Sequence, residues 1–251
     1  MMLEVLEKPI VLSLCSGSGS WEKPYVDSGK YNVIPVTFPE YDVRLFPSKP
    51  SENPRETYEW TYIEKYQGKV LGILAAPDCT YFSNAGTAHR RTDQNIIDGI
   101  GVVDACFRIA YALKPKFFAL ENPVGKLKNF LGEPVFKFHP YEFGDMYSKK
   151  TYLWGWFNTP KKIPYAPRAV RTLLKEQGFN KEINNEEDIN MFEGSPALDS
   201  KELSEAMSGL YYKNKIESGE FTAPSDVDLN RKYYRSITSQ GFANAFFKAN
   251  Q

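Results

Sequence analysis

Three short motifs place glycine, cysteine and carboxylate side chains at points where predicted strands end. Residues 16–20 read Ser-Gly-Ser-Gly-Ser, and glycines in such a loop let the backbone approach a ligand closely. Cys79, two residues after Pro77, is placed as a nucleophile would be. Glu121 and Asn122 follow another strand, where a carboxylate could stabilise charge that develops on a substrate. Taken singly, these are a tight turn, a buried thiol and a solvated acid, but their coincidence favours an active site.

The elements that position these motifs alternate between strand and helix. Apolar spacing predicts one long helix over residues 94–113 and short helices at 21–28 and 241–247. Apolar, β-branched runs predict strands at 9–15, 31–37, 69–75 and 116–120, and an antiparallel strand at 150–157. Cys106 lies within the long apolar helix and is interpreted as structural. A strand, glycine turn, helix and strand at the start are typical of a parallel α/β sheet.

The stretch 158–230 differs from the rest of the chain in charge and in hydrophobic pattern. It holds nine basic and 13 acidic residues, and its hydrophobic periodicity is weak. Its first part, 161–175, has five basic residues and no acidic one. We therefore predict a main domain formed by 1–157 together with 231–251, and an insertion or small subdomain at 158–230.

Composition excludes several classes of protein. The 251 residues carry 31 basic and 31 acidic side chains, so there is no global electrostatic argument for nucleic acid or membrane. No apolar run approaches the roughly 20 residues of a membrane span, and the first residues lack a signal-peptide pattern. Three cysteines form no CxxC pair, and two histidines are too few for a histidine-based metal site. We expect a soluble protein of a reducing compartment, without metal or membrane as a partner.

The motifs and their order resemble the DNA (cytosine-5)-methyltransferases, in the compact form found in bacteriophages and their hosts. Residues 13–19 are similar to that family's cofactor loop, in which an aromatic usually stands where Cys15 is. Residues 77–83 are similar to its Pro-Cys-Gln nucleophile loop, and 119–123 to its Glu-Asn-Val motif. The resemblance covers 9–157 and 231–251 in the family's order.

Weaker motifs extend the resemblance. Residues 41–43, Tyr-Asp-Val, resemble the motif that contacts the cofactor's adenine, and 147–155 stand where the family has Gln-x-Arg-x-Arg. Residues 235–238 and 241–244 resemble its last two motifs, compressed together. The resemblance implies a Rossmann-like α/β sheet of the class I S-adenosylmethionine-dependent methyltransferases, with 158–230 as a small inserted target-recognition region.

The implied activity is transfer of a methyl group from S-adenosylmethionine to C5 of cytosine in double-stranded DNA. In the family a thiolate, here Cys79, adds to C6, while a carboxylate, here Glu121, contacts N3 and the exocyclic amine. The target base must first leave the duplex. We expect a cytoplasmic monomer in a bacterial or phage-infected cell.

The resemblance assigns roles to individual residues. The catalytic residues it implies are Cys79, Glu121, Asn122 and Lys149. The cofactor-binding residues it implies are Cys15, Ser16, Gly17, Gly19, Ser20, Trp21, Thr37, Phe38, Asp42, Val43, Pro77 and Asn244. The residues it implies for nucleic-acid contact are Ser83, Asn84, Arg90, Arg91 and Thr151.

Two departures from the family pattern leave alternatives open. Thr37 stands where an acid should bind the ribose hydroxyls, and Glu40 is the nearest substitute. The two motif arginines are Lys149 and Thr151, which lack a bidentate guanidinium. The alternatives are the same fold acting on RNA or with a modified sulfonium cofactor, or a non-catalytic DNA-binding relic. DNA amino-methyltransferases fit less well, because they place Asn or Asp before Pro-Pro-aromatic and need no cysteine.

Overall fold

The fold is built around one mixed sheet of six strands. The computed structural model describes residues 8–45, 66–83, 91–145, 147, 149–162, 212–213, 215–223, 228–229 and 231–251. The strands are β1 (Ile10–Leu14), β2 (Asn32–Val36), β3 (Val70–Ala75), β4 (Phe117–Pro123), β5 (Phe136–Phe138) and β6 (Thr151–Trp156). The helices are α1 (Lys23–Asp27), α2 (Asp93–Leu113), α3 (Lys128–Leu131), α4 (Arg231–Ser236) and α5 (Gln240–Ala249), with 3₁₀ turns at Cys79–Tyr81 and Pro140–Phe143.

Local sequence accounts for most of these elements. The four parallel strands follow the apolar runs of the sequence, and the predicted antiparallel strand is β6. The long predicted helix is α2, which begins at a capping box between Thr92 and Asn95. It ends at Lys114, which adopts a left-handed conformation with φ of 51°. The elements α3, α4 and β5 are not predicted from the sequence, and each is six residues long or shorter.

The strand order β2-β1-β3-β4-β6-β5 contains a switch point beside β1. The chain leaves β1 to form β2 on one side and then crosses over to form β3 on the other side. Strands β2, β1, β3 and β4 run parallel, whereas β6 is antiparallel to β4 and to β5. In open α/β sheets, ligands bind at the carboxyl ends of the strands that flank such a switch point.

Buried side chains on alternating strand positions form a core on each face of the sheet. Leu12 and its neighbours on one face pack against α2, with Cys106 in the same cluster. Val11 and its neighbours on the other face pack against α1 and α5, through Tyr25 and Phe242. The predicted alternation of strand and helix therefore produces a sheet covered on both sides.

A third, smaller cluster joins part of the predicted insertion to the rest of the chain. Tyr212 and Phe221, from 158–230, are buried against Tyr147, Tyr233 and Ile237. Within the described ranges, no helix is long and apolar enough to cross a membrane.

Candidate functional site

The loops that follow β1, β2 and β3 are joined at the switch point. The N–H of Cys15, just after β1, donates to the Val36 carbonyl of β2 (2.9 Å). The N–H of Ala76, just after β3, donates to the Leu14 carbonyl (2.9 Å). The Thr37 hydroxyl donates to the Ser16 carbonyl (3.4 Å). Predicted cofactor residues from two strands therefore lie against one another.

The glycine loop after β1 is open toward solvent at its centre. A Cβ added at Gly17 would meet no atom within 4 Å. Cys15 adopts φ of 60° and Gly19 φ of 65°, a conformation that is costly for the cysteine. Cys15 and Cys106 are free thiols, and a hydrogen bond with Cys15 together with burial raises the pKa of Cys106. The loop thus holds a strained turn around space that a ligand can enter.

Ser20 and Trp21, both predicted to bind cofactor, attach the loop to the C-terminal helix. The Thr238 N–H donates to Ser20 Oγ (2.8 Å). The Trp21 ring is buried, with its centroid 5.9 Å from that of Phe242. Asn244, also predicted to bind cofactor, is exposed on α5, whereas Phe242 on the same helix is buried. The described contacts of Ser20 and Trp21 are therefore ones that position the loop.

Phe38, Asp42 and Val43 follow the carboxyl end of β2 and differ in exposure. The Phe38 side chain is 76% exposed, so its ring is free to stack on a ligand, whereas Val43 is buried. The Asp42 carboxylate pairs with the Arg44 guanidinium (2.6 Å), which lowers the pKa of Asp42. A carboxylate oxygen has two lone pairs, so Asp42 can still accept a hydrogen bond from a ligand.

The cysteine loop after β3 is a single 3₁₀ turn that begins at Cys79. Asp78 caps the turn by accepting from the Thr80 N–H (2.8 Å). Phe82 is fully buried, and its carbonyl accepts from the Lys126 N–H (2.8 Å). The partly exposed Cys79 therefore lies on a short turn with an anchored end, as positioning of a nucleophile requires.

The Glu-Asn pair at the end of β4 is tied to this cysteine loop. Asn122 Nδ2 donates to the Pro77 carbonyl (2.9 Å), and the buried Asn122 Oδ1 has no partner among the described residues. Glu121 is only 8% exposed, and its burial raises the pKa of its carboxyl, while the charge of Lys149 opposes that rise. The structure therefore brings together three of the predicted catalytic residues at neighbouring strand ends, with Cys79 two residues beyond the bonded carbonyl.

Lys149 and Thr151, which replace the motif arginines, lie beside the end of β4. The Thr151 hydroxyl is buried and donates to the Lys149 carbonyl (2.9 Å). In register, Thr151 faces Pro123 of β4. Thr151 therefore orients the backbone at Lys149, and Lys149 is the one of the two whose charge acts on Glu121.

The predicted nucleic-acid contacts are described only in part. Arg91 donates through Nη2 to the Ser83 carbonyl (2.6 Å), and Ser83 pairs with Gly125 in an isolated bridge. Asn84 and Arg90 lie outside the described residues. The contact of Arg91 is thus to the backbone of the cysteine loop, and a phosphate contact by it stays a prediction.

Glu22 is a site residue that the sequence analysis missed. Its side chain is 6% exposed and accepts from the Ser16 hydroxyl (2.7 Å), and burial raises the pKa of its carboxyl. The signal in the sequence was an acid directly after the glycine loop and Trp21. An isolated glutamate is normally solvated, so only the packing around it could identify it.

Chains similar to this one are found among solved structures. No protein-family model matches this chain, and no curated protein matches it. Among solved structures, one similar chain is a protein of E. coli assigned as a DNA modification methyltransferase encoded within a prophage. The match has 16% identity and a TM-score of 0.32, and it spans 58% of this chain but 45% of that one.

The described residues also bear on metal chemistry. They contain no group of three or more His, Cys, Asp or Glu side chains that could hold a metal ion.

Proposed function

We propose that this protein transfers a methyl group from S-adenosylmethionine to C5 of cytosine in double-stranded DNA. In this proposal the six-stranded sheet is a Rossmann-like class I methyltransferase sheet, and 158–230 is the target-recognition region. The observation that carries the proposal is the hydrogen bond from Asn122 Nδ2 to the Pro77 carbonyl (2.9 Å). It joins the cysteine loop to the Glu-Asn pair beside the switch point of the sheet.

The loops around the switch point fit an adenosine-bearing cofactor. The open space at Gly17 leaves room for a ligand against the backbone, and the exposed Phe38 ring offers a surface on which a base can stack. The groups proposed to hold the cofactor are those of the glycine loop, Phe38, Asp42 and Pro77. When bound, S-adenosylmethionine supplies an activated methyl group.

Cys79 is the proposed nucleophile. Its sulfur, as the thiolate, bonds to C6 of a cytosine that has left the duplex, and the electron pair of the C5–C6 bond makes C5 nucleophilic. C5 takes the methyl group and S-adenosylhomocysteine is left as the thioether product. Loss of the C5 proton to solvent then restores the double bond and expels the thiolate, and any proton gained at N3 returns to Glu121. The 3₁₀ turn and the Asn122 bond hold Cys79 in place during both steps.

Glu121 is the proposed acid that assists the attack of Cys79. Its burial raises the pKa of its carboxyl, so the carboxyl keeps its proton at a pH where an exposed glutamate would lose it. A protonated carboxyl can donate to N3 as electron density builds on the ring. Lys149 is proposed to add positive charge to the same site.

The test is mass spectrometry of nucleosides from cells that express the protein, Cys79→Ala or Cys106→Ala. Cys106 is fully buried in α2 and serves as the matched control. We expect 5-methyl-deoxycytidine with the parent and with Cys106→Ala, and none with Cys79→Ala. A heavier modified cytosine would mean that another group is transferred. Modification confined to RNA, or present with Cys79→Ala, would overturn the proposal.

A further inference from the structure

The carboxyl group of Glu22 lies near both ends of the glycine loop, Ser16 and Gly19. The Ser16 hydroxyl donates to Glu22 Oε2 (2.7 Å) at one end of the loop. At the other end, Oε1 lies 4.0 Å from the point where a Cβ on Gly19 would be. The carboxyl therefore faces the two ends of a loop whose centre, at Gly17, is open.

No cation among the described residues balances this carboxyl. None of the lysine, arginine or histidine side chains that the structure describes forms an ion pair with Glu22. Burying a carboxylate without a cation is costly, and the cost falls when a positive charge comes within contact distance. A buried acid without a neighbouring cation among the described residues, beside a loop that is open at Gly17, is suited to a cationic ligand.

The same carboxyl makes the loop unsuitable for phosphates. Phosphate sites in α/β proteins use a glycine loop followed by the free N–H groups of a helix. Here the helix is α1, which has only five residues, and Glu22 itself occupies the N-cap position. A phosphate placed at this loop would meet a carboxyl group instead of a positive helix end.

We infer that Glu22 is the counter-charge for a positively charged group of the ligand that binds the glycine loop. The loop therefore selects a cationic ligand without phosphates and rejects nucleotides. This inference rests on the proposed function in one respect, because S-adenosylmethionine carries ammonium and sulfonium charges and no phosphate.

The test is calorimetric binding of three probes to the full-length protein and to Glu22→Gln. The probes are S-adenosylmethionine, the uncharged 5′-methylthioadenosine, and ADP. Because Glu22→Gln removes a charge-assisted contact, we expect it to weaken the binding of S-adenosylmethionine by about ten- to a hundredfold. We expect no change for methylthioadenosine, and measurable ADP binding only in the variant.

Control variants separate the charge of Glu22 from its packing. Asp27→Asn removes an exposed carboxylate from the same helix, where it pairs with Lys23, and should leave all three affinities unchanged. Glu22→Asp keeps the charge and should keep the preference for S-adenosylmethionine over methylthioadenosine. Thermal melting verifies that each variant is folded.

The outcomes distinguish this inference from the proposed function. The inference alone would be overturned if Glu22→Gln weakened the binding of S-adenosylmethionine and of methylthioadenosine equally, or weakened neither. Selective binding of S-adenosylmethionine by a protein that modifies no nucleic acid would overturn the proposed reaction alone. Failure of the parent to bind any adenosine probe would overturn both.

Discussion

At the scale of single residues, the proposed site has a partly exposed thiol and a buried carboxyl on neighbouring strands. Cys79 lies on a capped 3₁₀ turn, and Asn122 ties that turn to the strand that carries Glu121. Burial raises the pKa of Glu121, and Lys149 limits the rise. In the proposed mechanism the carboxyl therefore holds a proton at the moment when the thiolate attacks.

Glu121→Gln tests this assignment through the pH dependence of turnover. Because the parent needs the protonated acid, its rate should fall as pH rises through the raised pKa of Glu121. The variant should turn over roughly a hundredfold more slowly and lack that falling limb. Glu133→Gln is the matched control, since Glu133 is exposed and pairs with Lys137 (2.7 Å). A falling limb that persists in Glu121→Gln would remove Glu121 from the role of acid.

At the scale of elements, the site depends on how closely two loops approach. The loop after β3 and the residues after β4 are linked by the bridge between Ser83 and Gly125. A Cβ at Gly125 would lie 2.2 Å from the Phe82 carbonyl oxygen, so only glycine fits there without displacement of backbone. This glycine therefore fixes the distance between the cysteine loop and the Glu-Asn pair.

Gly125→Ala should displace the cysteine loop. We expect a loss of about 1–3 kcal/mol in the free energy of unfolding, together with a large fall in turnover. Gly101→Ala is the control, because its added Cβ meets no atom closer than 3.9 Å in the middle of α2. That variant should be as stable as the parent or more stable by up to about 1 kcal/mol. Urea denaturation measures the stability of both variants, and methylation assays measure their turnover. Parent-like turnover of Gly125→Ala would show that Gly125 does not position the cysteine loop.

Most of the strands, and the loops that carry the site motifs, could be predicted from the sequence. The apolar runs identify β1 to β4 and β6, and the order of the motifs places Cys79 after β3 and Glu121 near the end of β4. The strand order could not be read, since it depends on contacts between distant segments. The three-residue strand β5 was missed because so short a run has no period.

The sequence also left the partners of particular side chains open. The sequence predicts that Arg91 contacts a phosphate, but in the structure its guanidinium donates a hydrogen bond to the Ser83 carbonyl. Glu22 resembles a solvated acid, but packing buries it under the glycine loop. Both depend on tertiary contacts that neither residue type nor spacing specifies.

At the scale of the whole molecule, the C-terminal helix is joined to two distant parts of the chain. Asp145 accepts from the Ser239 hydroxyl (2.6 Å) and from the Gly241 N–H (2.7 Å) at the start of α5. The helix in turn packs on Trp21, and Thr238, just before the helix, donates its N–H to Ser20 of the glycine loop. The residues after the predicted insertion therefore support the loop that follows the first strand.

Buried His139 ties the stability of the whole molecule to pH. Burial, with positive charge from Lys150 and Lys162, lowers the pKa of His139 to about 3. The unfolded chain binds a proton at an ordinary pKa near 6.5, so this contribution is complete above about pH 6.5 and is lost as pH falls toward 3. Between pH 7 and pH 5 the loss is on the order of 2 kcal/mol.

His139→Phe should reduce the difference between the urea midpoints at pH 7 and pH 5. The variant keeps a ring against Tyr141, whose centroid lies 5.0 Å away, but carries no titrating group. Tyr141→Phe keeps the histidine and should keep the pH dependence of the parent. An identical pH dependence in His139→Phe and the parent would show that His139 is not the cause.

The central claim is that Cys79 bonds covalently to cytosine during methyl transfer. A PCR product made with 5-fluorodeoxycytidine triphosphate tests this directly, because fluorine at C5 leaves no proton to be lost and so traps the bonded enzyme. After incubation with S-adenosylmethionine, peptide mass mapping should find the methylated fluorocytosine on Cys79. The adduct should be absent with Cys79→Ala and present with Cys106→Ala. An adduct on another residue, or none from a protein that methylates ordinary DNA, would contradict the mechanism.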